Sequence, residues 1–124
     1  MFRRFAVIQG INSSLSALLG LQKKLESTAN NVANVNSDGY KKTKVTLAEG
    51  AQGGVTAHVQ KVEDQGPLVY EQTAGGEQQL VEKSNVDLTR ELPDLMITKR
   101  SFQANLKAIQ TEDEMLGSLL DIKS

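Results

Sequence analysis

The chain has 124 residues and a formal net charge of -1, with 14 basic and 15 acidic side chains mixed along it. That balance gives no electrostatic case for nucleic acid or an anionic membrane as a partner, and the length suits one domain. There are no cysteines, and aromatics make up only 4%. This excludes a disulfide framework and a thiolate zinc site, and leaves Leu, Ile and Val to do the burying.

The opening stretch, MFRRFAVIQGINSS, carries two arginines, but Gln9 and Gly10 break its short apolar run. It is a poor secretory signal, with no convincing small-residue cleavage site after it. No apolar run approaches the roughly 18 residues that span a bilayer. The chain therefore reads as cytoplasmic, or as exported without a cleaved signal.

From 5 to 36 the pattern is helical. Ile8, Ile11, Leu15, Leu18, Leu25, Ala29 and Val32 recur in alternating steps of three and four, with Gln22 in the one gap. Such spacing is a heptad seam. Leu19, Leu21 and Val35 widen the apolar stripe. Gly10 and Gly20 read equally well as tolerated surface glycines and as points where a neighbouring helix comes close. The end of this segment, STANNVANVNSDGYKK, crowds asparagines, which are poor helix formers, ahead of Asp38-Gly39 and Tyr40. Asp-Gly supplies a turn. Asn30 and Asn34 lie one helical turn apart and share a face. They are expected where the first helix meets its partners, within the chain or beyond it.

Between 43 and 82 the period becomes two. TKVTLA, GGVTAHVQKV, LVYEQT and QLVE read as short strands, separated by EDQGP and AGGEQQ. From 85 to 122 a second helix is predicted. Leu88, Leu92, Leu95, Phe102, Leu106, Ile109, Leu116 and Leu120 form a seam that Lys99 and Asp113 interrupt. Ser84 with Asp87 resembles a capping box. Pro93 predicts a kink, or a helix that becomes regular only after it.

The fold class expected is α+β over a single domain, 1–124. Two long antiparallel terminal helices form a coiled coil and are joined by a small antiparallel β region. A single pair of helices cannot cover the apolar stripes. Leu19, Leu21, Met96, Ile97, Met115, Leu119 and Ile122 are left around the seams, so the chain looks like a subunit.

Enzymatic readings are weak. His58 is the one histidine, and alternation puts it on the solvent face of a strand. Glu112, Asp113 and Glu114 fall within one helical turn and do not converge. Gly53-Gly54 and Gly75-Gly76 lack the lysine and spacing of a phosphate loop. The Lys23-Lys24 and Lys41-Lys42 pairs have no interleaved aromatics. Arg100 can lay its stem along the seam and reach a neighbour's carboxylates or carbonyls.

Two stretches resemble a known family. Ala29, Asn30, Asn31, Val32, Ala33, Asn34, Gly39, Tyr40 and Lys41 resemble the N-terminal signature of flagellar basal-body rod, hook and hook-associated axial proteins. Ser84, Asn85, Val86, Asp87 and Leu88, the Arg100-x-Phe102-x-Ala104-Asn105 core, and Ile109, Thr111, Met115 and Leu120 look like its C-terminal signature. The resemblance implies a structural, non-enzymatic subunit without cofactor, metal or small-molecule substrate. It implies export through the flagellar type III apparatus without a cleaved signal, a place in the periplasmic rod of the basal body, and no insertion into the membrane. Partners would be other copies of itself and other flagellar rod proteins. With only a short β segment, the chain is most similar to a compact proximal-rod protein. Pro93 and the short middle segment depart from the usual pattern.

The interface residues expected from both readings are Leu15, Leu18, Leu25, Asn30, Asn31, Val32, Asn34, Gly39, Tyr40, Leu95, Arg100, Phe102, Asn105, Leu106 and Ile109. The asparagines would fix register through directed hydrogen bonds. The alternative is a non-polymeric helical adaptor associated with export or assembly.

Overall fold

The computed structural model describes residues 2–123, so Met1 and Ser124 of the expected 1–124 domain lie outside the described residues. Helix α1 spans Phe2–Ala33, and helix α2 spans Leu88–Lys123. Between them lie β1 (Thr43–Glu49), β2 (Val55–Lys61), β3 (Leu68–Gln72) and β4 (Gln78–Glu82). The fold is α+β, with a helix at each end and a small antiparallel strand region between. At 1.5 Å per residue the helices run about 48 and 54 Å.

The β region is two hairpins, not one sheet: β1 pairs only with β2, and β3 only with β4. The first hairpin lies on α1. Val45 is buried there, while His58, opposite Thr46, is exposed. Gly20 makes the close approach possible. A β-carbon there would sit 3.1 Å from Leu47 Cδ2 and 3.3 Å from Val55 Cγ1. Ser16 Oγ accepts the Val55 N–H at 3.0 Å on the same side of the helix.

The helices run antiparallel. Asn31 meets Glu91 near one end, and Ser14 meets Glu112 toward the other. Gly10 sits against the same Glu112 carboxylate. The deepest burial follows Leu21, Thr28 and Asn31 on α1 and Thr98 on α2. This row (10, 14, 17, 21, 24, 28, 31) keeps the heptad spacing but lies one residue before the apolar row. The expected pairing of apolar seam on apolar seam is therefore corrected. Small and polar residues make the mutual contact, because Gly10, Ser14, Ala17, Ser101 and Ala108 let the backbones approach. Leu21, expected among the residual apolar positions, is buried.

Helix α2 begins at Leu88 and continues through Pro93, so regularity does not wait for the proline. The carbonyl that loses its donor belongs to Thr89, an exposed residue that water can reach. The cap is Asp87 rather than Ser84. Asp87 Oδ1 accepts the Thr89 N–H at 3.0 Å and the Thr89 hydroxyl at 2.6 Å. Those bonds hold its carboxyl below the usual carboxylate range, with Arg90 and Lys42 adding to the effect. Ser84 Oγ instead accepts the Val86 N–H at 3.2 Å, within the loop.

The second hairpin touches the rest of the chain at its base. Gly39 N–H donates to the Glu82 carbonyl at 2.8 Å, and Lys83 N–H to the Pro67 carbonyl at 2.8 Å. Lys41 bonds the Glu82 carboxylate, and Lys83 bonds Asp38 and Glu71. The Asp38 and Glu71 bonds push the Lys83 ammonium up from its ordinary value. The Lys41 bond, then the Gly66 N–H, hold Glu82 below the ordinary carboxylate range. A depressed carboxylate stabilises the fold above its unfolded pKa, and that contribution is lost as pH falls through the folded value. Thermal unfolding should therefore separate the wild type from Glu82→Gln at neutral pH. The gap should close as pH drops below about 4.

Candidate assembly interface

The asparagine-rich end of α1 holds a buried polar site with a dense set of hydrogen bonds. Asn31 is 1% exposed. Its amide Nδ2 donates to the Thr43 carbonyl at 2.8 Å and to Glu91 Oε2 at 3.4 Å. Its Oδ1 accepts the Tyr40 hydroxyl at 3.0 Å and the Thr43 N–H at 3.0 Å. All four hydrogen-bonding positions of the amide are used. By bonding both backbone groups of Thr43, the side chain acts as a ladder partner for the first residue of β1.

Ser27 reinforces this corner by donating to the Thr43 carbonyl at 3.2 Å. Burial, and then the nearby Glu91 carboxylate, push the Tyr40 phenol above its ordinary pKa. Gly39 provides the turn into this arrangement at φ 68°, a left-handed conformation that side chains disfavour.

Asn85 performs the matching task on the other side. Its Oδ1 accepts the Lys42 N–H at 2.7 Å, and its Nδ2 donates to the Val62 and Asp64 carbonyls at 2.9 and 3.0 Å. Two asparagine amides thus lock the strand entry between the helices. Asn85, Thr43 and Glu91 were not expected as site residues. Asn85 gave a signal in its place within the C-terminal motif. Thr43 and Glu91 gave none, because each is read through its backbone or through one distant contact.

The other asparagines do different work. Asn34 caps locally: its Nδ2 donates to the Asn30 carbonyl at 2.8 Å, and its Oδ1 accepts the Ser37 hydroxyl at 3.0 Å. Asn30 is exposed. Asn105 is half-buried and shares a cleft with Ala17, Leu21, Ser101 and the first hairpin.

The expected apolar positions all lie on one side of the molecule, as helix geometry requires. Each residue advances about 100° around the axis. On both helices the apolar row comes one residue after the row of mutual contact. Because the helices are antiparallel, that step turns in opposite senses seen from one end. Both rows therefore swing to the same side of the pair. On α1 the positions that meet the first hairpin, 16, 20 and 27, come one residue before the contact row, so the hairpin covers the opposite side.

The uncovered side carries Leu15, Leu18, Leu25 and Val32 from α1, with Leu95, Phe102, Leu106 and Ile109 from α2. Leu15 and Leu106 are 47% and 45% exposed, and the other six are half-buried. Beyond this stripe Leu19, Met96, Ile97, Met115 and Ile122 are also exposed, and Leu119 is half-buried. Arg100 is exposed. This is a continuous two-helix apolar surface flanking a polar seam. Contiguous exposed apolar surface of this kind is characteristic of interaction sites. Among the described residues, no group of three His, Cys, Asp or Glu converges and no helix is long and apolar enough to cross a membrane.

Comparison with known proteins adds to this geometry. Residues 11–41 match the family model described as flagella basal body rod protein, and residues 77–122 match that of the flagellar basal body rod FlgEFG protein C-terminal. The chain is similar to the flagellar basal-body rod protein FlgG of Bacillus subtilis, at 35% identity over 89 residues, 71% of this chain and 31% of that protein. It is 51% identical over 43 residues to the flagellar hook protein FlgE of Helicobacter pylori, 35% of this chain and 6% of that protein. The FlgE of Salmonella typhimurium matches at 37% over 43 residues, 35% of this chain and 11% of that protein. The chain thus spans a third or less of the length of these relatives. The matched N-terminal segment contains Asn31 and the matched C-terminal segment contains Asn85, the two clamps of the corner.

Asn31→Ala should leave the Thr43 N–H and the Tyr40 hydroxyl without their partner, and the Thr43 carbonyl with the Ser27 hydroxyl alone. A loss of about 2–4 kcal/mol in chemical unfolding is expected, together with faster exchange of the Thr43 amide. Asn30→Ala should change stability by less than about 0.5 kcal/mol.

Proposed function

Because the chain belongs to the flagellar rod and hook family, we propose that it is a structural subunit of the bacterial flagellar basal-body rod. It joins other copies of itself and other rod subunits into the axial drive shaft. It reaches the periplasmic part of the basal body through the flagellar type III export apparatus, without a cleaved signal. It needs no cofactor, and its role is mechanical rather than catalytic.

The observation that carries this reading is the one-sided apolar surface of the helix pair. An isolated pair that buried its apolar rows against each other would be complete. This one makes its mutual contact through Gly10, Ser14, Leu21, Thr28, Asn31, Thr98 and Glu112, and leaves the leucines of its apolar rows on one outer side. Burial of apolar surface contributes roughly 25 cal/mol per Å². A neighbour's helices laid along the face recover that energy. The asparagine corner supplies rigidity: it holds the hairpins at a fixed angle to the helices, so that subunits stack in one geometry. Arg100 extends from the same helix to a neighbour's carboxylates or carbonyls.

A non-polymeric adaptor would bury the same face once, in a closed dimer. Its copies would form one protease-resistant species, whereas a rod subunit stays monomeric and frayed when dilute. Locating a tagged copy in purified basal bodies by electron microscopy, with a deletion strain scored for motility, tests the assignment. A motile deletion strain with no copy in the basal body would remove it. Phe102→Ala should abolish incorporation into basal bodies, and normal incorporation of that variant would count against the apolar face.

A further inference from the structure

The apolar row of α2 takes every alternating step of four and three from Leu88 to Leu120: 88, 92, 95, 99, 102, 106, 109, 113, 116 and 120. Eight of these are apolar; Lys99 and Asp113 are not. Both are exposed, and neither forms an ion pair among the described residues. A charge left unpaired within an apolar contact is costly. Whatever covers this face must answer a cation and an anion of fixed separation. The 14-residue separation is two heptads, and both residues hold the same heptad position as Leu92, Leu106 and Leu120.

We infer that a second copy lays its α2 parallel to this one, displaced by two heptads, so that Lys99 of one copy meets Asp113 of the other. The inference rests on the reading of the chain as a self-associating subunit. The displacement is about 21 Å. In parallel helices, like heptad positions face one another. The displacement then sets Leu92 against Leu106, Leu106 against Leu120, Leu88 against Phe102, Leu95 against Ile109 and Phe102 against Leu116. Within the row from Leu88 to Leu120, every layer so formed is apolar on both sides except one, and that one is the ion pair.

Other registers fail on the same residues. With no displacement, Lys99 faces Lys99 and Asp113 faces Asp113. A shift of one heptad sets Lys99 against Leu106 and Leu106 against Asp113. In an antiparallel pairing, residues of one heptad position face the other apolar position, so Lys99 and Asp113 never meet. A parallel, displaced contact joins different surfaces of the two copies and leaves each end free to repeat, so it grows an open chain.

The charge reversals Lys99→Glu and Asp113→Lys should each reduce incorporation into basal bodies by at least about tenfold. The double variant Lys99→Glu/Asp113→Lys should restore it to within about twofold of wild type. Circular dichroism should show unchanged helix content in all three, since both side chains are exposed. Normal incorporation of the single variants, or failure of the double variant to recover, would overturn the pairing. If Phe102→Ala loses incorporation while the charge variants keep it, the register is wrong and the structural-subunit reading stands.

A second measurement does not depend on folding in the cell. The chain has no cysteine, so purified Lys99→Cys and Asp113→Cys copies can be mixed and oxidised. Cross-linking in the mixture supports the displaced register. Cross-linking within the Lys99→Cys preparation alone would overturn it.

Discussion

The side-chain amide of Asn31 is the interaction on which the rest of the structure depends. It stands at the one point where α1, the entry to β1, Tyr40 and α2 come within reach of each other. An apolar residue there would fill space, but it would leave the Thr43 N–H without a partner and the Thr43 carbonyl with Ser27 alone. A carboxylate would accept, but could not donate to the Thr43 carbonyl. A lysine could donate, but could not accept. Only a primary amide supplies two donors and two acceptor sites, and a glutamine would carry them one methylene too far. The helix cost of asparagine is small beside the satisfaction of a buried strand end. With Asn85 clamping Lys42 from the opposite side, the hairpin entry is pinned to the start of the second helix as firmly as to the end of the first.

That corner explains how so little hydrophobic burial supports two long helices. Leu21 and Val45 are the buried hydrophobic residues among those described. The mutual seam does include Thr98 Oγ1 and Glu112 Oε2, buried without partners. A seam of this kind confers geometry more than stability, since buried polar groups contribute little net energy even when satisfied. On the proposed reading, the stability that a helix pair ordinarily gains from its leucines is deferred to the neighbour that covers the outer face.

Much of this was legible in the sequence, and the rest was not for identifiable reasons. Heptad spacing marked both helices and the apolar rows, because a period close to 3.6 survives without any knowledge of the partner. Strand alternation marked the four strands, but not their division into two hairpins, since pairing between hairpins depends on turn geometry that spacing does not encode. The spacing also could not say which row meets which. An apolar row is naturally assigned to the nearest helix, yet here a row of Gly, Ser, Ala and Thr lies one residue away and permits closer approach. Asn30, Asn31 and Asn34 were all expected where the first helix meets its partners, and Asn31 is the one that carries the corner. Asn31 lies on the contact row, whereas Asn30 falls one step before it and Asn34 beyond the last residue of α1.

The offset also bears on why such a chain would keep a polar seam at all. Placing the leucines between its own helices would give a more stable monomer with less reason to associate. Placing small and polar residues there costs the monomer stability but leaves the apolar rows side by side, where two helices of a neighbour can meet both at once. Under the proposed assembly, folding and association draw on the same surface, and the stability of each copy rises with the concentration of its partners by mass action. A subunit that assembled in the proposed way would be loosely held when alone and firmly held once its neighbours covered it. The asparagine corner is compatible with that proposal, because it fixes the relative position of the helices without drawing on the apolar surface that the proposed assembly would use.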